Sequence, residues 1–386
     1  IDVSECGLIP TPALQFSVKN SDYVGGIMIT ASHNPPEYNG IKVMGKDGVE
    51  IPRDDERIIE SLYHKEKGYM VDWSRVGRLS QENNVIQTYV KGIISKVQRK
   101  KIESNKFKIV LDTGNGVQAL SSPTLMRELG CEVVSINDTI DGKFPGRGPE
   151  PIPELLTALS SSVKESGSDL GVAYDGDGDR SIFCDEKGVV HSGDKIGAVI
   201  TDYLLSESPG SLIVTPVSTS RLIDIISSDH NSKVMRTRVG SVDVSRTMIE
   251  NKALFGLEEN GGFFYSPHQP VRDGAMTSAL LLEALSKTGT SLSSMLSKYP
   301  TLYQKKVKLP CPKEKVKDVM SGLEKSEYEI ERVDGLKIWI DSDTWILIRP
   351  SGTEPLIRVF AESNDAGNLK KFVDYYVAMI ESILKK

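Results

Sequence analysis

Short apolar runs and stretches of helical periodicity take turns along most of the chain. GGIMITAS (25–32) reads as a buried strand ending in a loop, and KIVLDTGNG (108–116) as another that runs into a Gly-rich turn. SPTLMRELG predicts a short helix, CEVVSIN a strand, and PEPIPELLTALSSSVKES a helix with Pro in its first turn. DLGVAYD predicts a further strand. SIFCDEKGVV has a turn between two β-rich arms and reads as a hairpin. The alternation resumes as helix GDKIGAVITDYLLS, strand SLIVTPVS, helix RLIDIISSDH, strand KVMRTRV, helix VDVSRTMIEN and strand ALFGLEE. Such alternation predicts α/β layers with largely parallel pairing.

The end of the chain has another pattern. Strands KKVKLP, LKIWIDSD and WILIRPSG cluster with a helix at EKVKDVMSGLEK, and NLKKFVDYYVAMIESILKK closes the chain as an amphipathic helix. That predicts a smaller α+β domain from about residue 300. The basic run KVQRKKIESNKFK (96–108) reads as a solvated connector, and no sequence repeat is visible.

Composition narrows the classes. With 386 residues the chain has room for two to four domains of roughly 150 residues. A net charge of −6 argues against nucleic acid as a partner. Apolar runs of about ten residues are too short to cross a membrane, and the first residues lack the pattern of a signal peptide. Cys6, Cys131, Cys184 and Cys311 lie far apart, as reduced structural thiols of a cytoplasmic protein would.

Four loops carry candidate chemistry. TASHNPPEYNGIKV places Ser32 at the end of a strand, where α/β folds hold their sites, with His33 and Lys42 near enough in sequence to assist a nucleophile. An Asn-Pro turn with ordinary polar filling is the plain alternative. DGDGDR puts Asp175, Asp177 and Asp179 on one tight loop, the oxygen-rich pattern that hard cations such as Mg²⁺ want. An EF-hand is disfavoured, although Glu186 falls at its twelfth position. Arg180 stands where that loop needs Gly, and a strand, not a helix, precedes it. Arg180 suits a phosphate that also touches the metal. GLEENGG offers Glu258, Glu259 and Asn260 to sugar hydroxyls, or is a simple acidic turn. RPSGTEPLIRV supplies Arg349, Ser351, Gly352, Thr353 and Arg358 as donors to a phosphate, or is an incidental turn between strands.

In this order, TASHNP, DGDGDR, GLEENGG and RPSGTEP resemble the signatures of the α-D-phosphohexomutases, over essentially the whole chain. IPTPAL (9–14) and FPGRGPEPIPE (144–154) are similar to family segments as well. The resemblance implies three similar mixed α/β sandwich domains and a smaller C-terminal α+β domain around a central cleft. The expected bounds are 1–85 (phosphoserine loop), 86–188 (metal loop), 189–299 (sugar loop) and 300–386 (phosphate-binding loop). It marks Ser32 as the phosphorylated serine, and Asp175, Asp177, Asp179 and an oxygen on Ser32 as Mg²⁺ ligands. Glu258 and Asn260 would face the sugar, while Arg349, Ser351, Gly352, Thr353 and Arg358 would hold the phosphate that is not reacting. Lys42 and His33 would assist proton transfer. The implied activity interconverts hexose 1- and 6-phosphates through a hexose 1,6-bisphosphate, in a monomer or homodimer.

Three departures from the family stand out. About 60–70 residues expected before the phosphoserine loop are absent, and a first domain starting at Ile1 is short by the usual domain size, which suggests an incomplete chain. Asn260 and Gly262 stand where many members have Ser and His. The segment VGSVDVS (239–245) lies in a variable region. Two rivals remain. A metal-dependent sugar phosphatase would leave TASHNP without a task, and the scattered His33, His64, His191, His230 and His268 offer no dinuclear cluster. An inactive sugar-phosphate-binding module would not need Ser32 and the acidic triad intact.

Overall fold

Strands that bury both faces need cover on each side, and the helical stretches between them supply it. The computed structural model describes residues 1–65, 68, 70–324, 327–352 and 354–385. One five-stranded sheet runs in the order Glu132–Ile136, Lys108–Asp112, Leu170–Tyr174, Ser181–Asp185, Val190–His191. Its first three strands are parallel and the last two fold back antiparallel. A second sheet repeats the arrangement with Lys233–Thr237, Leu212–Pro216, Phe255–Leu257, Phe263–Tyr265 and Gln269–Arg272. The α/β class is therefore as expected, but pairing is mixed. The connections into the return strands are too short for a crossover, so they can only make hairpins. The repeat invisible in sequence exists in the backbone.

A third five-stranded sheet is wholly antiparallel, in the order Tyr303–Pro310, Leu356–Ser363, Trp345–Pro350, Leu336–Trp339, Glu329–Glu331. Helices Val316–Leu323 and Ala366–Leu384 pack on it through Val319, Leu323, Val373, Tyr376 and Ile380. This part has its own apolar core. A single larger core joins Ala13, Tyr89, Ile109, Phe183, Leu257 and Leu281, and so ties together elements from the first three units.

Two segments differ from expectation. Gly25–Ile29 is a strand but not a buried one. It pairs only with Ile41–Gly45, and Ile27, Ile29 and Ile41 share an exposed face. The opposite face, with Gly26, Met28, Lys42 and Met44, turns inward; Gly26 approaches Val18 on helix Thr11–Lys19. Period-two alternation thereby aims Lys42 at Asp177 and Asp179. The basic run at 96–108 is no plain connector either. Residues Arg99–Asn105 form a helix whose Ile102 is fully buried.

Arg147, from the FPGRGPEPIPE segment, braces the strand that leads into the acidic loop. Its Nε donates to Asp112 Oδ2 at 2.8 Å and its Nη2 to the Tyr174 carbonyl at 2.5 Å. Both partners of the ion pair are buried. Arg147→Met leaves a buried carboxylate unpaired and should cost about 3–5 kcal/mol in denaturant unfolding. Arg57→Met, which breaks an exposed pair with Asp54, should cost no more than about 1 kcal/mol.

Candidate active site

Three of the four loops sit at the ends of strands and converge. The acidic loop follows Leu170–Tyr174, the serine loop follows Gly25–Ile29, and Glu258 follows Phe255–Leu257. Asp175, Asp177 and Asp179 are all buried, with one ligand atom from each lying within 4.8 Å of the others. Each carboxylate spends one oxygen on the protein. Asp175 Oδ1 accepts from the Arg180 amide at 3.0 Å. Asp177 Oδ2 accepts from Thr11 Oγ1 at 2.7 Å and Lys42 Nζ at 2.8 Å. Asp179 Oδ2 accepts from Lys42 Nζ at 3.0 Å and lies 2.8 Å from Arg272 Nη2. The other oxygens, Asp175 Oδ2, Asp177 Oδ1 and Asp179 Oδ1, are buried without a hydrogen-bond partner. Orphaned buried carboxylate oxygens are costly, and three together fit a hard divalent cation. Glu186 points away to Ser293, which excludes an EF-hand.

Ser32 has φ of +55°, a left-handed conformation that costs a non-glycine residue roughly 1–3 kcal/mol. Its amide donates to Thr30 Oγ1 at 2.9 Å. The strained turn presses on the acidic loop: a Cβ at Gly176 would lie 2.7 Å from the Ser32 carbonyl oxygen, so only glycine permits this approach. His33 Nδ1 lies 3.3 Å from Ser32 Oγ and 3.1 Å from Arg180 Nη2. Since a guanidinium can only donate, Nδ1 is the acceptor and the ring is neutral. Burial, reinforced by Arg180 and Arg272, pushes the imidazole down to about 4. Burial would also lower Lys42, but Asp177 and Asp179 outweigh it and hold the ammonium above the usual lysine range. Asp175 is raised, first by burial and then by the charges of Asp179 and Asp177. Asp179 is lowered: Arg272, Lys42 and Arg180 overcome its burial.

The third loop is joined to the acidic loop through its backbone. The Ser181 amide donates to the Gly261 carbonyl at 3.0 Å, and Arg180 and Gly262 form a β-bridge. Glu258 is buried, its Oε2 lacks a hydrogen-bond partner, and burial raises its pKa. Glu259 turns the other way, to Ser218 and Lys306. Asn260 Oδ1 accepts from the Gly262 amide at 3.2 Å and closes its own turn.

The fourth loop stands apart. Among the described residues, the polar partners of Arg349, Ser351 and Arg358 lie on the C-terminal sheet itself: Asp334, Glu354 and Leu356. Arg349 and Arg358 face each other across neighbouring strands, and Gly352 has open space around it. Thr353 lies outside the described residues. Sequence reasoning missed Thr11 and Arg272. Thr11 belongs to IPTPAL, a segment whose resemblance was visible without its purpose. Arg272 lies in PVRDG, which has no pattern of its own.

A buried acidic cluster that could hold a metal ion, a strained serine against it and the guanidinium groups of Arg180 and Arg272 thus lie together. Four domain families match the chain: phosphoglucomutase/phosphomannomutase alpha/beta/alpha domains I (1–70), II (87–188) and III (192–303), and the C-terminal domain (306–378). A phosphoglucomutase/phosphomannomutase of Thermococcus kodakarensis is 41% identical over 387 aligned positions, covering 100% of this chain and 84% of the relative. A phosphoglucosamine/phosphogalactosamine mutase of Sulfurisphaera tokodaii is 42% identical, covering 99% and 85%. A crystal structure of a phosphoglucomutase/phosphomannomutase family protein from Burkholderia thailandensis superimposes with a TM-score of 0.88 at 25% identity, over 99% of this chain and 83% of that one. The chain belongs to the phosphoglucomutase/phosphomannomutase family and is a phosphohexomutase, an isomerase of the intramolecular phosphotransferase type. Among the described residues no helix is long and apolar enough to cross a membrane.

The pocket predicts an unusual histidine. In the metal-free protein, NMR titration of the His33 ring should show it neutral from pH 8 down to about 5, with a midpoint near 4. A midpoint near the ordinary histidine value of about 6.5 would contradict the geometry described for Nδ1.

Proposed function

We propose that this protein interconverts hexose 1-phosphate and hexose 6-phosphate by way of a phosphate carried on Ser32 and a hexose 1,6-bisphosphate. The observation that carries the reading is the strained Ser32 turn lodged against three buried carboxylates, each with one oxygen that has no hydrogen-bond partner. The four units, assigned to 1–85, 86–188, 189–299 and 300–386, each contribute one loop. Asp175, Asp177 and Asp179, with an oxygen on Ser32, hold Mg²⁺. When bound, the ion neutralises charge on the phosphate in flight.

The chain's own residues do the rest. Phospho-Ser32 gives its phosphoryl group to a free hydroxyl of the sugar monophosphate; the bond to Ser32 Oγ breaks as the bond to the sugar oxygen forms. Arg180 stabilises the transferring oxygens. Lys42, held as an ammonium, returns a proton to the serine oxygen, and neutral His33 is available to take one from the attacking hydroxyl. Glu258 and Asn260 hold sugar hydroxyls. Arg349, Ser351, Gly352, Thr353 and Arg358 grip the phosphate that is not reacting. The bisphosphate then turns around and its other phosphate returns to Ser32. A C-terminal unit with its own core can release and re-grip the intermediate by rotating as a body. Four free cysteines suit a reducing compartment, the cytoplasm.

Curated relatives named for glucose, mannose and glucosamine phosphates make a side-by-side rate comparison on these three the test of sugar preference. Intact-protein mass spectrometry should find one phosphate on part or all of the purified protein, mapped to the TASHNP peptide, with occupancy rising on addition of glucose 1,6-bisphosphate. Ser32→Ala should lose both the label and turnover; near-parental turnover in that variant would refute Ser32 as the carrier. Excess chelator should abolish turnover and added Mg²⁺ restore it, and Asp177→Ala should be inactive yet folded. Full activity in chelator would contradict the metal assignment.

A further inference from the structure

Arg272 is the one cation that reaches both the acidic loop and the sugar loop among the described ion pairs. It ends the strand Gln269–Arg272 in the third unit, and its side chain is almost wholly buried. One guanidinium nitrogen, Nη2, lies 2.8 Å from Asp179 Oδ2; the other, Nη1, lies 3.6 Å from Glu258 Oε2. Its aliphatic stem fills the space above Gly262. A Cβ there would meet Arg272 Cδ at 2.6 Å and Glu258 Oε2 at 2.8 Å. A side chain at 262 and the present course of Arg272 therefore exclude each other. The two loops it spans already share the Ser181–Gly261 hydrogen bond and the Arg180–Gly262 bridge, so they move together.

We propose that Arg272 is a positioning residue that couples metal occupancy to sugar binding. It shares one planar fork between a carboxylate on the metal side and a carboxylate on the sugar side. Guanidinium geometry is rigid, so a shift of either carboxylate is felt by the other. A cation that draws on Asp179 changes how firmly Arg272 is held at Glu258. A sugar hydroxyl on Glu258 Oε2 changes how firmly it is held at Asp179. By linkage the two effects are equal in size. The position also explains how the site does without a side chain at 262: the arginine stem occupies that volume and its charge serves both loops.

The inference rests on the proposed metal and sugar sites, and the test separates the two. Mn²⁺ affinity is measured by electron paramagnetic resonance with and without glucose 6-phosphate, and again with glucosamine 6-phosphate. Phosphorylation of Ser32 is matched between samples by intact mass. In the parent protein at least one of the sugars should tighten Mn²⁺ binding about fivefold or more, within the usual range of coupling. In Arg272→Met that ratio should fall to about one while each ligand alone still binds. Arg272→Lys keeps the charge but loses the fork, and should recover only part of the ratio. If Arg272→Met does not fold, Gly262→Ala displaces the arginine stem from the other side and should lose the ratio too. A parental ratio in Arg272→Met or Gly262→Ala overturns the proposal, as does a ratio of one in a parent protein that binds both ligands. Failure of the parent to bind Mn²⁺ or either sugar phosphate would instead contradict the proposed function, and the coupling with it.

Discussion

Burying three carboxylates on one tight loop is the constraint around which this molecule is organised. Each buried anion costs several kcal/mol unless a cation or donors answer it. The answer comes from three places at once. Lys42 arrives from the first unit, Arg180 from the loop itself, and Arg272 from the third unit. Their competition explains the split within the triad: Asp179, with three cations near it, is held ionised, whereas Asp175 is pushed toward its neutral form. The charge left unanswered faces the three orphaned oxygens, where a divalent ion would balance it.

The same constraint explains why the N-terminal units share one core while the C-terminal unit does not. Side chains from distant parts of the chain must meet at the acidic loop within hydrogen-bond distance, which only rigid packing secures. The loop that carries Arg349 and Arg358 has a different attachment. The seam between the third and fourth units combines a small apolar cluster, in which Val217 packs with Trp345, Leu347 and Phe360, with polar bonds from Arg221 to Ser342 and from Gln304 to Asp194 and Glu362. Asp334 touches both Arg349 and the Val239 amide across that seam.

What was legible in the sequence follows physical lines. Apolar periodicity located the central strands Lys108–Asp112, Leu170–Tyr174 and Leu212–Pro216 because they are buried on both faces, but it missed Phe263–Tyr265 and Gln269–Arg272. It misjudged Gly25–Ile29, whose isoleucines look the same in sequence whether or not a neighbouring strand covers them. The helix at Arg99–Asn105 was hidden by its lysines, since a single buried Ile102 gives no period. Loops with several polar residues close together, such as DGDGDR, announced themselves. Thr11 and Arg272 act alone, from 166 residues before Asp177 in one case and from beyond the sugar loop in the other, and no local pattern marks them. The antiparallel return in the sheet that holds Leu170–Tyr174 was legible in the hairpin SIFCDEKGVV, whose turn marks it.

The central claim is that phosphate moves within the sugar and is not lost to water. ³¹P NMR of purified protein with Mg²⁺, a trace of glucose 1,6-bisphosphate and a hexose 1-phosphate tests it directly. The account predicts that the 1-phosphate resonance declines as a 6-phosphate resonance grows, to an equilibrium reached equally from either side, with no inorganic phosphate signal. Growth of inorganic phosphate without any 6-phosphate would contradict it and make the protein a phosphatase.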